Sequence, residues 1–280
     1  MKNEKVKIVF TDLDRTLLRD DGTFSEPTLQ TLQELQDRKI IVVIATGRNI
    51  FSAHRVLPKN LPIDYLMFSS GCGIIEWKGG NIIYENHLER LEIERVSHLF
   101  TAHRIDFMLH HPIPENHLFC YSRFNPHNED FERRIDLYKD FAAELQKLPD
   151  NASQFVAVLP PRGNVVFEQV KRRIDFLKVI RATSPLDHRS IWLEVFPNNV
   201  SKGHSAQWLC ARLGIERQNT LGIGNDFNDL DLLEYTAQSC VVANAPQEMQ
   251  AMYQTVPANQ EDGFAKCMEK SIFMNSDKNE

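Results

Sequence analysis

The sequence predicts an α/β protein with a discontinuous parallel-sheet core, interrupted by a second domain of α+β type. Three observations predict this. The β-rich runs at 6–10 and 40–45 flank a helical stretch, which makes a βαβ unit and so a parallel pair of strands. Near residue 73 that rhythm gives way to a hairpin and then to mixed helices and strands. After Lys202 the βα alternation resumes.

Taken in order, 6–10 is a short apolar run rich in β-branched residues and reads as a buried strand. Ser25 is placed as a helix cap with Pro27 in the first turn, and Leu29, Leu32 and Leu35 follow at helical spacing. Strands are expected at 40–45 and 65–68. A hairpin is expected at 73–77 and 81–84 around Lys78-Gly79-Gly80. Gly71-Cys72-Gly73 reads as a hinge into the second domain. There, helices are expected at 88–103, 131–145 and 165–177, and strands at 105–109, 155–159 and 191–195, with Phe119, Tyr121 and Phe124 at strand spacing. Beyond Lys202 come an amphipathic helix at 205–213, a strand at 220–223, a helix from 230 to 235 and a strand at 239–243. Residues 275–280 read as a frayed end. The expected boundaries are 1–80 and 195–280 for the core and 81–194 for the insertion.

Composition excludes several classes of function. The chain has 280 residues, 42% apolar and 25% charged, which is ordinary for a folded protein with a sizeable core. The net charge of -6 lacks a basic face or tail, which disfavours nucleic acid as a partner. Because no apolar run reaches the length that spans a bilayer, no membrane association is expected. Five scattered cysteines without a CxxC pair argue against a disulfide framework or thiolate zinc site, and a reducing cytoplasm fits them. The histidines His110, His111, His117 and His127 match no standard metal-ligand spacing and are read as ordinary residues of the insertion.

Chemistry concentrates at predicted strand ends, where open parallel sheets bind their ligands. The clusters are Asp12-Leu13-Asp14-Arg15-Thr16, Thr46-Gly47-Arg48 and Gly224-Asn225-Asp226-Phe227-Asn228-Asp229. Ser201-Lys202-Gly203 opens a predicted helix. Carboxylates there suit a hard divalent cation. Lys202 and the Thr46 hydroxyl suit phosphate oxygens. One aspartate can attack phosphorus while another, two residues on, exchanges protons with the leaving alcohol and with water. Together the clusters point to phosphoryl transfer.

On these four motifs the sequence resembles the haloacid dehalogenase (HAD) superfamily over its whole length, in particular Cof-like phosphatases with a large α/β cap of type IIB. The resemblance implies a Rossmann-like parallel-sheet core with an inserted α+β cap domain that closes over the site. It implies Mg²⁺ as cofactor and a small phosphorylated metabolite, most plausibly a sugar phosphate, as substrate, with an aspartyl phosphate as intermediate. Asp12 would be the nucleophile and a metal ligand. Asp14 would be the general acid and base, with its main-chain carbonyl on the metal. Thr46, Gly47, Arg48, Lys202 and Asn228 would hold the phosphate, with a structural ion pair as the other reading of Arg48. Asn225, Asp226 and Asp229 complete the expected metal set, Asp229 from further out. Two positions depart from the family pattern. Arg15 stands where glycine is usual, and Asn225 stands where the usual run has aspartate, so that either Asn225 or Asp226 meets the metal. A sugar-phosphate phosphomutase shares every motif, and a non-catalytic sugar-phosphate sensor is a further reading. The expected protein is cytoplasmic, and a monomer or homodimer.

Overall fold

The structure is a computed structural model describing residues 6–273, so the tail expected to fray lies outside the described residues. The chain forms two compact units, Met1–Tyr84 with Ser201–Glu280, and Glu85–Val200. The sequence reading divided the chain at 80/81 and 194/195. The difference has a local cause, because the hairpin strand running to Glu85 stays beside the first sheet and the segment after Phe196 stays with the insertion. There Asn199 donates to Asn86 at 3.1 Å.

The first unit begins with β1 (Ile8–Thr11), α1 (Glu26–Asp37), β2 (Ile41–Ala45), a short α2 (Ile50–His54), β3 (Tyr65–Phe68), β4 (Gly73–Glu76) and β5 (Ile82–Glu85). Helix α1 starts as its sequence dictates, with the Ser25 hydroxyl accepting from the Thr28 amide at 3.2 Å and Pro27 in the first turn. Its buried face carries Thr28, Thr31, Leu32 and Leu35. Gly73 lies inside β4, paired with Phe68 of β3, and Gly71 and Cys72 lie in the turn between the two strands, so the residues expected as a hinge all belong to this unit.

The inserted unit contains α3 (Arg90–Ala102), β6 (Phe107–His110), β7 (Phe119–Ser122), α4 (Glu129–Leu137), β8 (Ala142–Glu144), β9 (Gln154–Leu159), α5 (Asn164–Arg173), β10 (Lys178–Thr183) and β11 (Ile191–Phe196). Its sheet runs β10-β11-β9-β6-β7-β8 and is antiparallel except for the parallel pair β7–β8. Phe100, Phe107, Phe155, Phe167 and Leu193 share one core on one face, and Met108, Phe131, Val156 and Trp192 share another on the opposite face. The helix expected at 131–145 is the one clear error of element type. Helix α4 ends at Leu137, the Phe141 amide closes a turn on the Tyr138 carbonyl at 2.8 Å, and Ala142–Glu144 pairs with β7 as an edge strand. Phe141 and Leu145 continue the helical spacing of Phe131 and Ile135, so periodicity alone cannot see the break.

The chain returns to the first unit with α6 (Lys202–Leu213), β12 (Thr220–Gly224), α7 (Leu230–Tyr235), β13 (Gln238–Val242), α8 (Gln247–Met252), β14 (Gln254–Val256) and α9 (Gly263–Met268). The sheet order is β14-β13-β12-β1-β2-β3-β4-β5, parallel from β14 through β3. Ile8, Phe10, Val43, Met67, Leu209 and Leu232 form one core, so α6 and α7 cover one face. Helix α1 packs against β2 and α9.

Candidate functional site

The central strand β1 has β12 on one side and β2 on the other, so the order of the parallel sheet reverses there. In doubly wound sheets such a switch point opens a crevice at the carboxyl ends of the strands. All three strands run directly into the polar motifs. Asp12 follows Thr11 and extends the ladder, its amide donating to the Ile223 carbonyl at 2.9 Å. Thr46 follows Ala45, its amide donating to Met67 at 2.8 Å.

Lys202 is the first residue of α6, after the Ser201 cap, whose hydroxyl accepts from the His204 amide at 3.1 Å. Its Nζ donates to Asp12 Oδ1 at 2.6 Å and to Asp229 Oδ1 at 2.5 Å. The side chains of Lys202 and Asp229 are fully buried, and that of Asp12 is 7% exposed. The second oxygen of Asp229 accepts from the amides of Asn225 at 2.8 Å and Asp226 at 3.1 Å. Space for that carboxylate depends on Gly224, where a Cβ would lie 2.5 Å from Asp229 Oδ2. Gly203 is needed for a similar reason, since its Cβ would meet the Asp231 carbonyl oxygen of α7 at 2.1 Å. Burial pushes the Asp12 carboxyl up to about 7, against the pull of Lys202 and with help from Asp229 and Asp14. For Lys202 burial works against the charge, but Asp12 and Asp229 prevail and hold the ammonium above its ordinary value.

Arg48 grips Asp14. Its Nε donates to Asp14 Oδ2 at 2.8 Å and its Nη2 to Oδ1 at 2.6 Å, a two-pronged contact that fixes the carboxylate plane. Both side chains are part-exposed, at 29% and 40%. Thr46 Oγ1 accepts from the Arg48 amide at 3.1 Å, which leaves the hydroxyl proton to point elsewhere. Gly47 lies under Asn228 and Ser70, because a Cβ there would stand 3.7 Å from both Asn228 Nδ2 and Ser70 Oγ. Ser70 was not among the sequence candidates. It sits in the loop after β3, whose amides at Ser69 and Ser70 donate to the carbonyls of Arg48 and Thr46 at 2.8 and 2.9 Å. The readable signal was its position one strand outward from β2 on the same sheet edge.

The last motif divides its labour. Asp226 Oδ1 accepts from the Phe227 amide at 2.8 Å and caps the turn Phe227–Asp229, while Asp229 answers by accepting from the Asp226 amide. The Asn225 side-chain amide makes no hydrogen bond among the described residues. Asp229, expected in the metal set, is filled by protein donors on both oxygens, which suits support rather than ligation. Among the described residues no three His, Cys, Asp or Glu side chains converge as a metal cage. The donors that do face the crevice fit Mg²⁺, a hard cation that keeps several waters and is commonly held by one or two carboxylates together with substrate phosphate. Here they are the second oxygen of Asp12, without a protein donor among the described residues, and the Asn225 amide oxygen.

The switch-point crevice brings together carboxylates, a buried lysine, and hydroxyl and amide groups, a set suited to binding a phosphate group and a hard cation. The chain belongs to the haloacid dehalogenase-like hydrolase family, whose match spans residues 9–268. It is a hydrolase of that family, with a parallel-sheet core interrupted by an inserted α+β unit. It is 24% identical over 251 residues to the HMP-PP phosphatase of Serratia proteamaculans, covering 86% of this chain and 85% of that one. It is 23% identical over 283 residues to the 5-amino-6-(5-phospho-D-ribitylamino)uracil phosphatase of Bacillus subtilis, covering 95% and 97%. The structure of a HAD subclass IIB sugar phosphatase superposes with a TM-score of 0.75 at 18% identity, covering 95% and 98%. No helix among the described residues is long and apolar enough to cross a membrane.

Proposed function

We propose that the protein hydrolyses a small phosphorylated metabolite of the sugar-phosphate class through an aspartyl phosphate on Asp12. The observation that carries this reading is the Asp12 carboxylate, anchored through Oδ1 to the buried Lys202 while Oδ2 has no protein donor among the described residues. A nucleophile needs this arrangement, with one oxygen held and the other presented. The names of the relatives support a small phosphorylated substrate.

Asp12 Oδ2 forms a bond to phosphorus as the ester P–O bond breaks, and the leaving oxygen takes its proton from Asp14. Water then attacks the phosphoryl group and gives its proton to Asp14. The Asp12–phosphorus bond breaks and inorganic phosphate leaves. Arg48 holds Asp14 in one orientation through both steps. Thr46, the Gly47 backbone, Ser70 and Asn228 bind the phosphoryl oxygens, and Lys202 offsets the charge of Asp12 and Asp229. Asp12, the Asp14 carbonyl and Asn225 would hold Mg²⁺, which supplies positive charge against the repulsion between phosphate and carboxylate. Asp226 and Asp229 shape that loop from behind.

The test is inorganic phosphate release from a panel of sugar and polyol phosphates, with and without Mg²⁺, beside Asp12→Asn. Mg²⁺-dependent release that Asp12→Asn abolishes supports the reading. An isomerised ester in place of free phosphate would make the protein a mutase. Saturable binding without any turnover would make it a sensor.

A further inference from the structure

The turn that carries Asp14 is held by residues far from it in sequence. Arg15 stands in the left-handed region at φ 59° and ψ 18°, inside a tight turn closed by the Leu18 amide on the Leu13 carbonyl at 2.9 Å. That backbone region is strained for a residue that carries a side chain. Two asparagines oppose the strain. Asn244, two residues past β13, donates its Nδ2 to the Arg15 carbonyl at 2.8 Å. Its Oδ1 accepts from the Asn259 amide at 3.0 Å. Asn259, buried and three residues past β14, donates its Nδ2 to the Leu18 carbonyl and to Asp20 Oδ1, each at 3.0 Å. Arg19 also reaches Asp262 at 3.3 Å. Loops from the outer strands β13 and β14 therefore grip the chain on both sides of Thr16, whose own buried hydroxyl has no hydrogen-bond partner among the described residues.

We propose that Asn244 and Asn259 are positioning residues for phosphoryl transfer, acting through the Arg15 peptide; this rests on the reading of Asp12 and Asp14 given above. The Asp14 carbonyl and the Arg15 amide belong to one planar unit. Pinning the Arg15 carbonyl while Arg15 is left-handed fixes the rotation of that plane, and with it the direction of the Asp14 carbonyl and the point from which its carboxylate departs. Arg48 fixes the carboxylate end and Asn244 the main-chain end. A glycine at position 15 would adopt this conformation without strain. With arginine there, the turn depends on the asparagine clamp.

The test uses the full chain. Wild type and Asp12→Asn are assayed first, because absence of Mg²⁺-dependent release in wild type, or equal release from Asp12→Asn, overturns the underlying phosphatase reading and this proposal with it. Where that control holds, Asn244→Asp keeps an acceptor for the Asn259 amide and removes the donor to Arg15. The expected result is a loss of about tenfold or more in kcat and in Mg²⁺ affinity measured calorimetrically without substrate, the scale typical of losing a supporting partner. Arg15→Gly in the same background restores both. Unchanged kcat and Mg²⁺ affinity in folded Asn244→Asp would overturn the proposal. So would a loss that Arg15→Gly leaves in place, since the effect would then not pass through the Arg15 peptide. Asn259→Ala, checked by thermal melting, gives a second route to the same two readouts.

Discussion

At the scale of single residues, the crevice is built from paired charges, of which Asp12 keeps one oxygen without a protein donor among the described residues. Lys202 occupies one oxygen of Asp12, and Asp229 is consumed by Lys202 and two amides. Arg48 meets both oxygens of the Asp14 carboxylate, so a positioning role stands beside the phosphate contact expected from the motif. The two roles predict different kinetics. Arg48→Lys keeps the charge and loses the planar fork, so it should lower kcat by about 10- to 100-fold with KM little changed. A phosphate-binding Arg48 would instead raise KM, and steady-state kinetics on the best substrate of the panel decides. The positions of Asp12, Lys202 and Thr46 were legible as sequence because each is a polar residue at a strand end or helix start. Ser70, Asn244 and Asn259 were not. Their side chains are common loop residues, and what makes them relevant is a contact with backbone that only the fold brings near.

Elements were legible where one face or both faces of a strand are apolar. Strands β1, β2, β3 and β12 and helices α1, α6 and α7 fall close to where their patterns put them. The misses share a cause. Strand β10 (Lys178–Thr183) carries Lys178 and Arg181 among its apolar residues, and β14 (Gln254–Val256) is three residues long. Strand β8 hides behind a helical spacing that continues past the end of α4. Short edge strands take their identity from the neighbour they pair with rather than from their own pattern. The contact between α6 and α7 carries a prediction at this scale. Gly203→Ala drives a methyl into the Asp231 carbonyl and must push the start of α6 away from α7, at a cost of about 1–3 kcal/mol. Urea unfolding reads the stability. Because Lys202 precedes Gly203, phosphate release should fall as well.

At the scale of the molecule, acidification acts with opposite sign on one buried group in each unit. In the first unit, folding raises the Asp12 carboxyl to about 7, so its contribution to stability is complete below the ordinary carboxylate value near 3.8 and is lost as pH rises through 7. In the inserted unit, His110 is buried, its ring tilted against that of Phe119, and bonded through Nδ1 to the Asn116 carbonyl oxygen at 2.8 Å. Burial, aided by Arg134, pushes it down to about 3. Its contribution is complete above pH 6.5 and is lost as pH falls through 3. Between pH 7 and 4, in metal-free buffer, Asp12 should firm the first unit while His110 loosens the second. Amide hydrogen exchange across that window checks this, with Asp12→Asn and His110→Gln each flattening the pH slope of its own unit. Equal slopes in both variants and wild type would refute the assignment.

The central position of β1 also bears on how the chain is made. Its partner β12 lies 212 residues later in the register, from Ile8 to Thr220, with the whole inserted unit between them. A ribosome adding about 5–20 residues per second delivers β12 roughly ten seconds or more after β1. During that interval the inserted unit has all of its strands and can close its own cores, while the earlier segment waits with one edge of its central strand unpaired. The part of the chain translated second is therefore the first that can finish folding, and the unsatisfied edge of β1 is the place where a holding chaperone would have most to do.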